Sequence, residues 1–261
     1  MVTEAQEHRD GLPALLDREV VYAPKFEAAD ESHLVQVAEI IRNGGIVAFP
    51  FNGVFGLFGD VDNPQAAERI IEAKGRPRDR KLIAVCTPED IDKFADLQRT
   101  IYPKEQLVAL LTGIHALGVI LPASNQAPDH LTVGEGMEST ILVIWTEYRP
   151  LRTMMGYLQG LGVRGFVGTS ANQSGEATHV DQDKLYDDFG TMLQAVVSAS
   201  FRHLPDNRRR STSIVDFTNH HPRLHREGNV PEDELREALS RHGFPELHVA
   251  RDVITVRPRQ I

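Results

Sequence analysis

Two segments of the sequence concentrate side chains that could hold a negatively charged ligand. The first, residues 74–81 (KGRPRDRK), carries five cationic side chains against one carboxylate. Arginine offers a planar pair of donors to carboxylate or phosphate oxygens, and lysine offers a compact point charge. The run also follows a predicted helix, and the C-terminal end of a helix attracts cations in any protein. An anion site and a solvated helix end are therefore both open for this segment.

The second segment, residues 168–175 (GTSANQSG), follows a short apolar run. Hydroxyl and amide side chains at the end of a strand can orient a polar ligand, although the same residue types are typical of turns. A serine-hydrolase elbow is excluded, because the second glycine of G-x-S-x-G is replaced by Asn172. A third polar cluster, residues 208–213 (RRRSTS), again precedes an apolar run. We expect the three segments to meet at one site.

Helices and strands alternate along the chain that must position these segments. Leu34, Val37, Ala38 and Ile41 recur with helical spacing and predict a helix over 32–42, which residues 43–45 (NGG) end. Further helices are predicted around 66–71, from a capped start at 87–90, and over 105–114, 151–161 and 231–242. Strands are predicted over 46–49, 82–86, 141–145, 166–169, 213–217 and 246–256.

This alternation predicts an α/β fold: a single domain with a twisted mixed sheet flanked by helices. Residues 1–30 show no clear period and are interpreted as an N-terminal extension. Residues 31–230 form the main domain, and residues 231–261 form a C-terminal helix and tail that pack on it.

Composition limits the classes of function. The chain has 261 residues, 41% of them hydrophobic, with 28 Lys and Arg against 37 Asp and Glu, a formal net charge of −9. A chain of this kind can bury a core, which argues against disorder. An isoelectric point near 5.7 disfavours nucleic-acid binding through overall charge, so an anion site has to be local.

The apolar runs, the N-terminus and the single cysteine indicate where the protein is located. Every apolar run is shorter than the roughly 18 residues that a membrane span requires, and the N-terminus is too acidic for a signal peptide. The single cysteine, Cys86, lies in an apolar run and is predicted to be a buried filler. These features predict a cytoplasmic protein with no membrane partner. His220, His221 and His225 lack the further ligands that would complete a metal site, so no structural metal is predicted.

Taken in order, the segments resemble the YrdC-domain family, the threonylcarbamoyl-AMP synthases. Residues 44–57 (GGIVAFPFNGVFGL) resemble the family's opening strand and its Pro-Thr-x-Thr-x-Tyr-Gly-Leu loop. The other family motifs are Lys-x-Arg-Pro, Ser-x-Asn-x-Ser-Gly, Ser-Thr-x-Val-Asp and Arg-x-Gly. They are matched by residues 74–77 (KGRP), 170–175 (SANQSG), 212–216 (TSIVD) and 226–228 (REG). The family's longer members carry an extra C-terminal domain, for which we expect no room after residue 230.

The resemblance implies a concave, positively lined face and a reaction that joins threonine, bicarbonate and ATP into threonylcarbamoyl-AMP, with Mg²⁺ accompanying ATP. That product feeds the modification of tRNA adenosine. Lys74 and Arg76 would act in catalysis by holding phosphate and carboxylate oxygens. Nucleotide binding would involve Ser170, Asn172, Ser174, Thr212, Ser213 and Arg226, and the substrate pocket would include Phe51, Asn52 and Phe55.

Departures from the family pattern keep a second interpretation open. Phe51, Gly53 and Phe55 stand where the family carries two threonines and a tyrosine, which predicts a more apolar pocket with threonine a poor substrate or held by Asn52. The family's arginine within an apolar strand has no clear counterpart, and Arg149 is the candidate replacement. The alternative is a divergent YciO-like paralogue. Such a protein would bind nucleotide or double-stranded RNA but use another acceptor or lack synthase activity.

Overall fold

The computed structural model describes residues 21–78, 81–174 and 176–255. The strands are β1 (Lys25–Glu27), β2 (Val47–Phe51), β3 (Val54–Asp60), β4 (Ile83–Val85), β5 (Ala116–Pro122), β6 (Thr132–Val133), β7 (Thr140–Thr146), β8 (Phe166–Ser170), β9 (Ala195–Ser198), β10 (Ile214–Asp216), β11 (Arg223–Glu227) and β12 (His248–Thr255). The helices are α1 (Glu31–Arg42), α2 (Pro64–Ala73), α3 (Lys104–Gly113), α4 (Arg149–Gly160), α5 (Gln182–Phe189) and α6 (Glu232–Arg241).

The twelve strands of the described residues form one mixed sheet. Its order is β1-β9-β2-β3-β8-β4-β7-β5-β10-β11-β12, and β6 pairs with β7 beside this path. The central pairs β2–β3, β3–β8, β8–β4 and β7–β5 are antiparallel, whereas β4–β7 and β5–β10 are parallel. The predicted twisted mixed sheet flanked by helices is confirmed.

Pairing register divides the side chains of this sheet between two faces. Residues directly opposite each other on neighbouring strands share a face, and alternate residues along a strand change face. Phe58 pairs with Gly168, Gly168 with Ile83, and Ile144 with Gly118. Following these pairs across the sheet places Gly56, Phe58, Ser170, Ile83, Leu142, Ile144, Ile214 and Arg226 on one face, here called the open face.

Helices cover the opposite face. Helix α2 packs on β3 and β8, and Gly59 of β3 lies so close to α2 that an added Cβ would come within 2.8 Å of Ala66. Helix α1 packs against α4. Asp30 caps α1 through its side chain, and Asn63 does the same for α2. The two caps fix where the helices begin above the sheet.

Most predicted elements are present, with ends shifted by at most two residues, but six strands were missed: β1, β3, β5, β6, β9 and β11. The hairpin β2–β3 turns at Asn52 and Gly53, whose φ angles are +45° and +100°. An Asn-Gly pair between apolar runs is a strong hairpin signal, so β3 was predictable. Strands β1, β5, β9 and β11 carried no alternation that we recognised. The helix expected after residue 87 is instead a 3₁₀ helix, Pro88–Lys93, and the Thr87 side chain does not cap it.

The two ends of the chain contribute strands to the same sheet. Within the predicted extension 1–30, Lys25–Glu27 pairs with β9, while residues 1–20 lie outside the described residues. Strand β12 pairs with β11 and α6 contacts α3. Val256, the predicted end of the last strand, also lies outside the described residues. In the described ranges, no helix combines the length and the apolar character needed to cross a bilayer.

Gly53 is predicted to be required by the hairpin for two separate reasons. Its φ of +100° disfavours any side chain, and an added Cβ would lie 2.3 Å from the carbonyl oxygen of Arg208. We expect Gly53→Ala to lower the free energy of unfolding by more than the roughly 1–2 kcal/mol that a left-handed residue alone costs. Gly162→Ala is the matched control, because Gly162 has a φ of +84° and open space around it. Chemical denaturation should show a clearly larger loss for Gly53→Ala, and equal losses would contradict this account.

Candidate active site

The side chain of Lys74 connects the end of α2 to the end of β8. Lys74 caps the C-terminus of α2 and is only 2% exposed. Its Nζ donates to the backbone oxygen of Ser170 and, at 3.1 Å, to Oδ1 of Asn172. These acceptors are uncharged, and burial followed by the nearby Arg76 lowers the pKa of Lys74 to about 7. The first two predicted segments are thus in direct contact.

Asn172 organises the polar turn after β8. Its Oδ1 also accepts from the Ser170 hydroxyl at 2.6 Å, and its Nδ2 donates to the backbone oxygens of Gln173 and Glu176. The backbone N–H of Ser174 donates to the Lys74 carbonyl at 3.2 Å. Ser174 is itself exposed, and the motif's last residue, Gly175, lies outside the described residues. The turn is therefore rigid at Asn172 and open to solvent at Ser174.

Arg76 lies near both Lys74 and a second arginine, Arg226. Arg76 is half-buried and donates to the backbone oxygen of Lys81 at 3.0 Å. Arg226 donates through Nε and Nη2 to the Thr212 carbonyl, at 3.1 and 2.7 Å. Burial, followed by the nearby Arg76, lowers the pKa of Arg226 to about 10. Within the described residues, neither Lys74 nor Arg226 forms an ion pair, so no carboxylate neutralises either group.

A cavity of about 150 Å³ opens on the open face of the sheet. Its apolar lining comes from strands β2, β3, β4, β7 and β10: Phe51, Val54, Phe55, Gly56, Phe58, Ile83, Leu142, Ile144 and Ile214. Its polar lining comes from the loops and strand ends: Arg76, Lys81, Thr169, Ser170, Ser211, Thr212 and Arg226. The arrangement is an apolar floor with cationic groups at the rim.

The aromatic ring of Phe58 packs over glycines on two neighbouring strands of the sheet. A Cβ at Gly56 or Gly168 would lie within 2.4 Å of the Phe58 ring, so this ring covers both glycines. Phe58 also contacts Phe51, with ring centroids 5.7 Å apart. Of the predicted substrate-pocket residues, Phe51 and Phe55 line the cavity, whereas Asn52 lies in the hairpin turn and does not.

Three of the six predicted nucleotide-binding residues, Ser170, Thr212 and Arg226, line the cavity, whereas Asn172, Ser174 and Ser213 do not. Ser213 is fully buried: its hydroxyl donates to the Val230 carbonyl at 2.6 Å, and it accepts from the N–H groups of Gly228 and Val230. Its hydroxyl therefore holds the 228–230 turn beside Arg226 and has no capacity left for a ligand.

Arg149 does not replace the arginine that the family carries in its apolar strand. It is exposed at the start of α4, the helix that packs against α1, and it does not line the cavity. The strand preceding it, β7, presents Leu142 and Ile144 to the cavity instead. The sequence-based candidate for this position is therefore wrong, and apolar groups occupy that part of the wall.

Sequence reasoning missed the way in which the 208–213 segment is held. Arg208 lies 2.7 Å from the ring of His115 and 2.9 Å from Oε2 of Glu234 in α6. Its carbonyl packs over Gly53, at the turn of the hairpin that supplies Phe51 to the cavity. Burial, followed by Arg208, lowers the pKa of His115 to about 4, so the imidazole is neutral at physiological pH. Arg208 thus links Glu234 of the C-terminal helix α6 to the hairpin turn at Gly53, and in this way it positions one wall of the cavity.

The other chemically distinctive residues lie away from this cavity. Cys86 is buried, and burial raises the pKa of its thiol well above the usual range, as expected of a filler. His221 stacks on His248 with ring centroids 4.5 Å apart. Among the described residues, no group of three or more His, Cys, Asp or Glu side chains is arranged to hold a metal ion.

Comparison with known proteins places this geometry in a family. The profile of the Sua5, YciO and YrdC proteins, described as "Telomere recombination", matches residues 39–228. The chain belongs to this family. A protein from Vibrio vulnificus strain YJ016 named threonylcarbamoyl-AMP synthase is 30% identical over 182 residues, which cover 68% of this chain and 93% of that protein. A Pyrococcus abyssi protein of the same name is 27% identical over 82% of this chain.

Solved structures of the family share the fold. The structure of Pyrococcus abyssi Sua5 complexed with L-threonine superposes with a TM-score of 0.71 at 24% identity, covering 87% of this chain. The chain spans 63% of the length of that protein. Escherichia coli YciO superposes with a TM-score of 0.59 at 18% identity, covering 79% of this chain and 94% of YciO. Family membership therefore confirms the resemblance carried by the five motifs.

The buried ammonium group gives a pH-dependent prediction for stability. The folded-state pKa of Lys74, about 7, is lower than the 10.5 that is usual for a lysine in water. Between these values the unfolded chain binds more protons, so the free energy of unfolding should rise as pH increases from about 7 to 10, by up to about 1.4 kcal/mol per pH unit. Denaturation of wild type and Lys74→Met between pH 6.5 and 9.5 tests this. As pH rises, the free energy of unfolding of wild type should increase relative to that of Lys74→Met. If the two free energies change in parallel with pH, the lowered pKa of Lys74 is contradicted.

Proposed function

We propose that this protein is an ATP-dependent synthase of the threonylcarbamoyl-AMP type. Bicarbonate and the amino group of an amino acid form an N-carboxylate, and an oxygen of that carbamate attacks the α-phosphate of ATP. Pyrophosphate leaves, and water is the other product of the overall reaction. Mg²⁺ enters with ATP, bound to its phosphates. The product would supply a tRNA-modifying step.

One observation carries the proposal: Arg76 and Arg226 line one cavity, the buried Lys74 is hydrogen-bonded to Ser170 of the same lining, and no carboxylate pairs with Lys74 or Arg226 in the part of the chain described. In an acidic protein such a cluster favours a polyanionic ligand. Burial strengthens each interaction with a phosphate or carboxylate, because water screens it less. ATP, a carbamate and an α-carboxylate together present the matching negative charges.

The proposed chemistry requires positioning and charge stabilisation rather than a protein nucleophile. Arg76 and Arg226 would bind phosphate and carboxylate oxygens as the charge moves toward the leaving pyrophosphate. Lys74 would contribute a charge held in place by Ser170 and Asn172. The buried Cys86 thiol lies outside the cavity lining, which suits a mechanism with no covalent enzyme intermediate.

Arginine substitutions in one basic run separate the anion site from a solvated helix end. Arg76 lines the cavity, whereas Arg78 is exposed and pairs with Glu68 and Glu72 of α2. We expect Arg76→Met to lower the rate of pyrophosphate release, measured with ATP, labelled bicarbonate and an amino acid, by about 10²- to 10³-fold, the usual effect of removing one charge-stabilising donor. Arg78→Met, the matched control, should retain the wild-type rate. Equal effects of the two substitutions would contradict the proposed site.

Nucleotide binding without synthesis is the second candidate function, and it is favoured by Phe51 and Phe55, which line the cavity where the family carries hydroxyl-bearing residues. In that case calorimetry would detect binding of ATP or AMP, and Lys74→Ala would weaken this binding by about 1.5–3 kcal/mol, but no labelled acyl-adenylate would form with any amino acid.

If double-stranded RNA were the ligand instead, its affinity for the protein would fall steeply as the salt concentration rises.

A further inference from the structure

The cavity has two chemically different ends. Arg76, Lys81 and Arg226 stand at the rim, and the floor is formed by aromatic and aliphatic side chains of the open face. On the floor, Ile83 and Leu142 remain partly exposed, while their neighbours Ile144 and Ile214 are buried. A ligand that fills this space must combine anionic groups with an apolar body.

The hydroxyl-bearing residues of the cavity lining are Thr169, Ser170, Ser211 and Thr212, and none of them belongs to the strands that form the floor. The Ser170 hydroxyl donates to Asn172 at 2.6 Å, and the Ser211 hydroxyl is 3.0 Å from that of Thr178. The backbone carbonyl of Thr212 accepts from Arg226 at the rim. Thr169 pairs with Leu57 and therefore belongs to the face that the helices cover. The side chains that the described strands β2, β3, β4, β7 and β10 contribute to the floor are all apolar, so they offer no donor or acceptor to a hydroxyl on a ligand's side chain.

Size also limits what can fill the floor. Pockets that enclose a drug-sized ligand measure about 300–1,000 Å³, whereas this cavity measures about 150 Å³. A whole nucleotide exceeds that space, and the body of one amino acid suits it. The carboxylate and carbamate of an N-carboxylated amino acid would then face the cationic rim.

We infer that the amino-acid substrate carries an aliphatic side chain, of the size of valine or isoleucine, rather than the hydroxyl-bearing side chain of threonine. This inference rests on the proposed function and specifies its substrate. Valine and threonine have nearly the same shape, so the difference between them is the hydroxyl. Burying that hydroxyl on an apolar floor leaves it without a partner, which is costly.

Competition between isosteric amino acids tests the inference. With ATP and labelled bicarbonate, we expect kcat/KM for acyl-adenylate formation with valine or isoleucine to exceed that with threonine by about 10- to 100-fold, as for other apolar pockets. Serine should be poorer still. A preference for threonine over valine would overturn the inference while leaving the proposed function intact.

Binding measurements keep the two proposals separable. If no amino acid yields an adenylate, the proposed synthase fails, and calorimetry with valine and threonine then decides the inference by itself. Tighter binding of valine would support it, whereas tighter binding of threonine, or binding of neither, would overturn it.

Substitutions on the floor supply the matched controls. Phe51→Thr places a hydroxyl beside Phe58 and should reduce the valine-to-threonine ratio at least several-fold. Phe51→Leu keeps the floor apolar and should preserve the ratio. Ile101→Thr, on an exposed side chain outside the cavity, controls for a general effect of the new hydroxyl. An unchanged ratio in a folded Phe51→Thr protein would count against the floor as the specificity determinant, and the wild-type ranking decides the matter if that variant does not fold.

Discussion

The buried ammonium group of Lys74 is the interaction on which the site depends. It joins two segments that lie 96 residues apart in the sequence, the end of α2 and the turn after β8. Taking a charge out of water is costly unless hydrogen bonds replace the lost hydration. Here a backbone carbonyl and an amide oxygen supply those bonds, and neither carries a negative charge. The lysine is thus held in position without a carboxylate partner among the described residues.

The pairing register of the sheet explains why the floor of the cavity is apolar while its rim is cationic. Side chains on one face of β3, β4, β7 and β10 form the floor, and the strands are apolar on both faces because helices cover the other side. Cations instead come from the segment after α2 and from β11. Arg76, for example, follows the helix end, where the chain leaves the cover of the sheet and charged side chains can reach the cavity.

Local signals in the sequence predicted much of the fold and part of the site. The spacing of Leu34, Val37, Ala38 and Ile41 gave α1 because a helix that covers a sheet must repeat at that period. Strand β5 was missed because its residues, Ala116–Pro122, are buried on both faces and show no alternation. A short apolar run of this kind has no periodicity that separates strand from helix.

Local motifs in the sequence identified some of the site residues, whereas the roles of others depend on contacts between distant segments. Lys74, Asn172 and Arg226 were recognised from motifs, and the meeting of the polar segments at one site was expected because each segment adjoins an apolar run. The role of Ser213 could not be read from type alone, because a serine that binds a ligand and one that holds a turn look identical in sequence. Likewise, the Arg208 carbonyl over Gly53 depends on a contact between distant segments. Such contacts are set by tertiary packing, which the spacing of residues in the sequence does not predict.

Charge and proton binding are linked at this rim. Burial and Arg76 both oppose the charged form of Lys74 and bring its pKa to about 7. An anion bound beside Lys74 acts in the opposite direction, since a negative charge favours the protonated amine. Binding of a phosphate or carboxylate there therefore raises the pKa and, above neutral pH, draws a proton into the site. The net charge of the chain is −9, so the cationic groups Arg76, Lys81 and Arg226 at this cavity run against its overall charge.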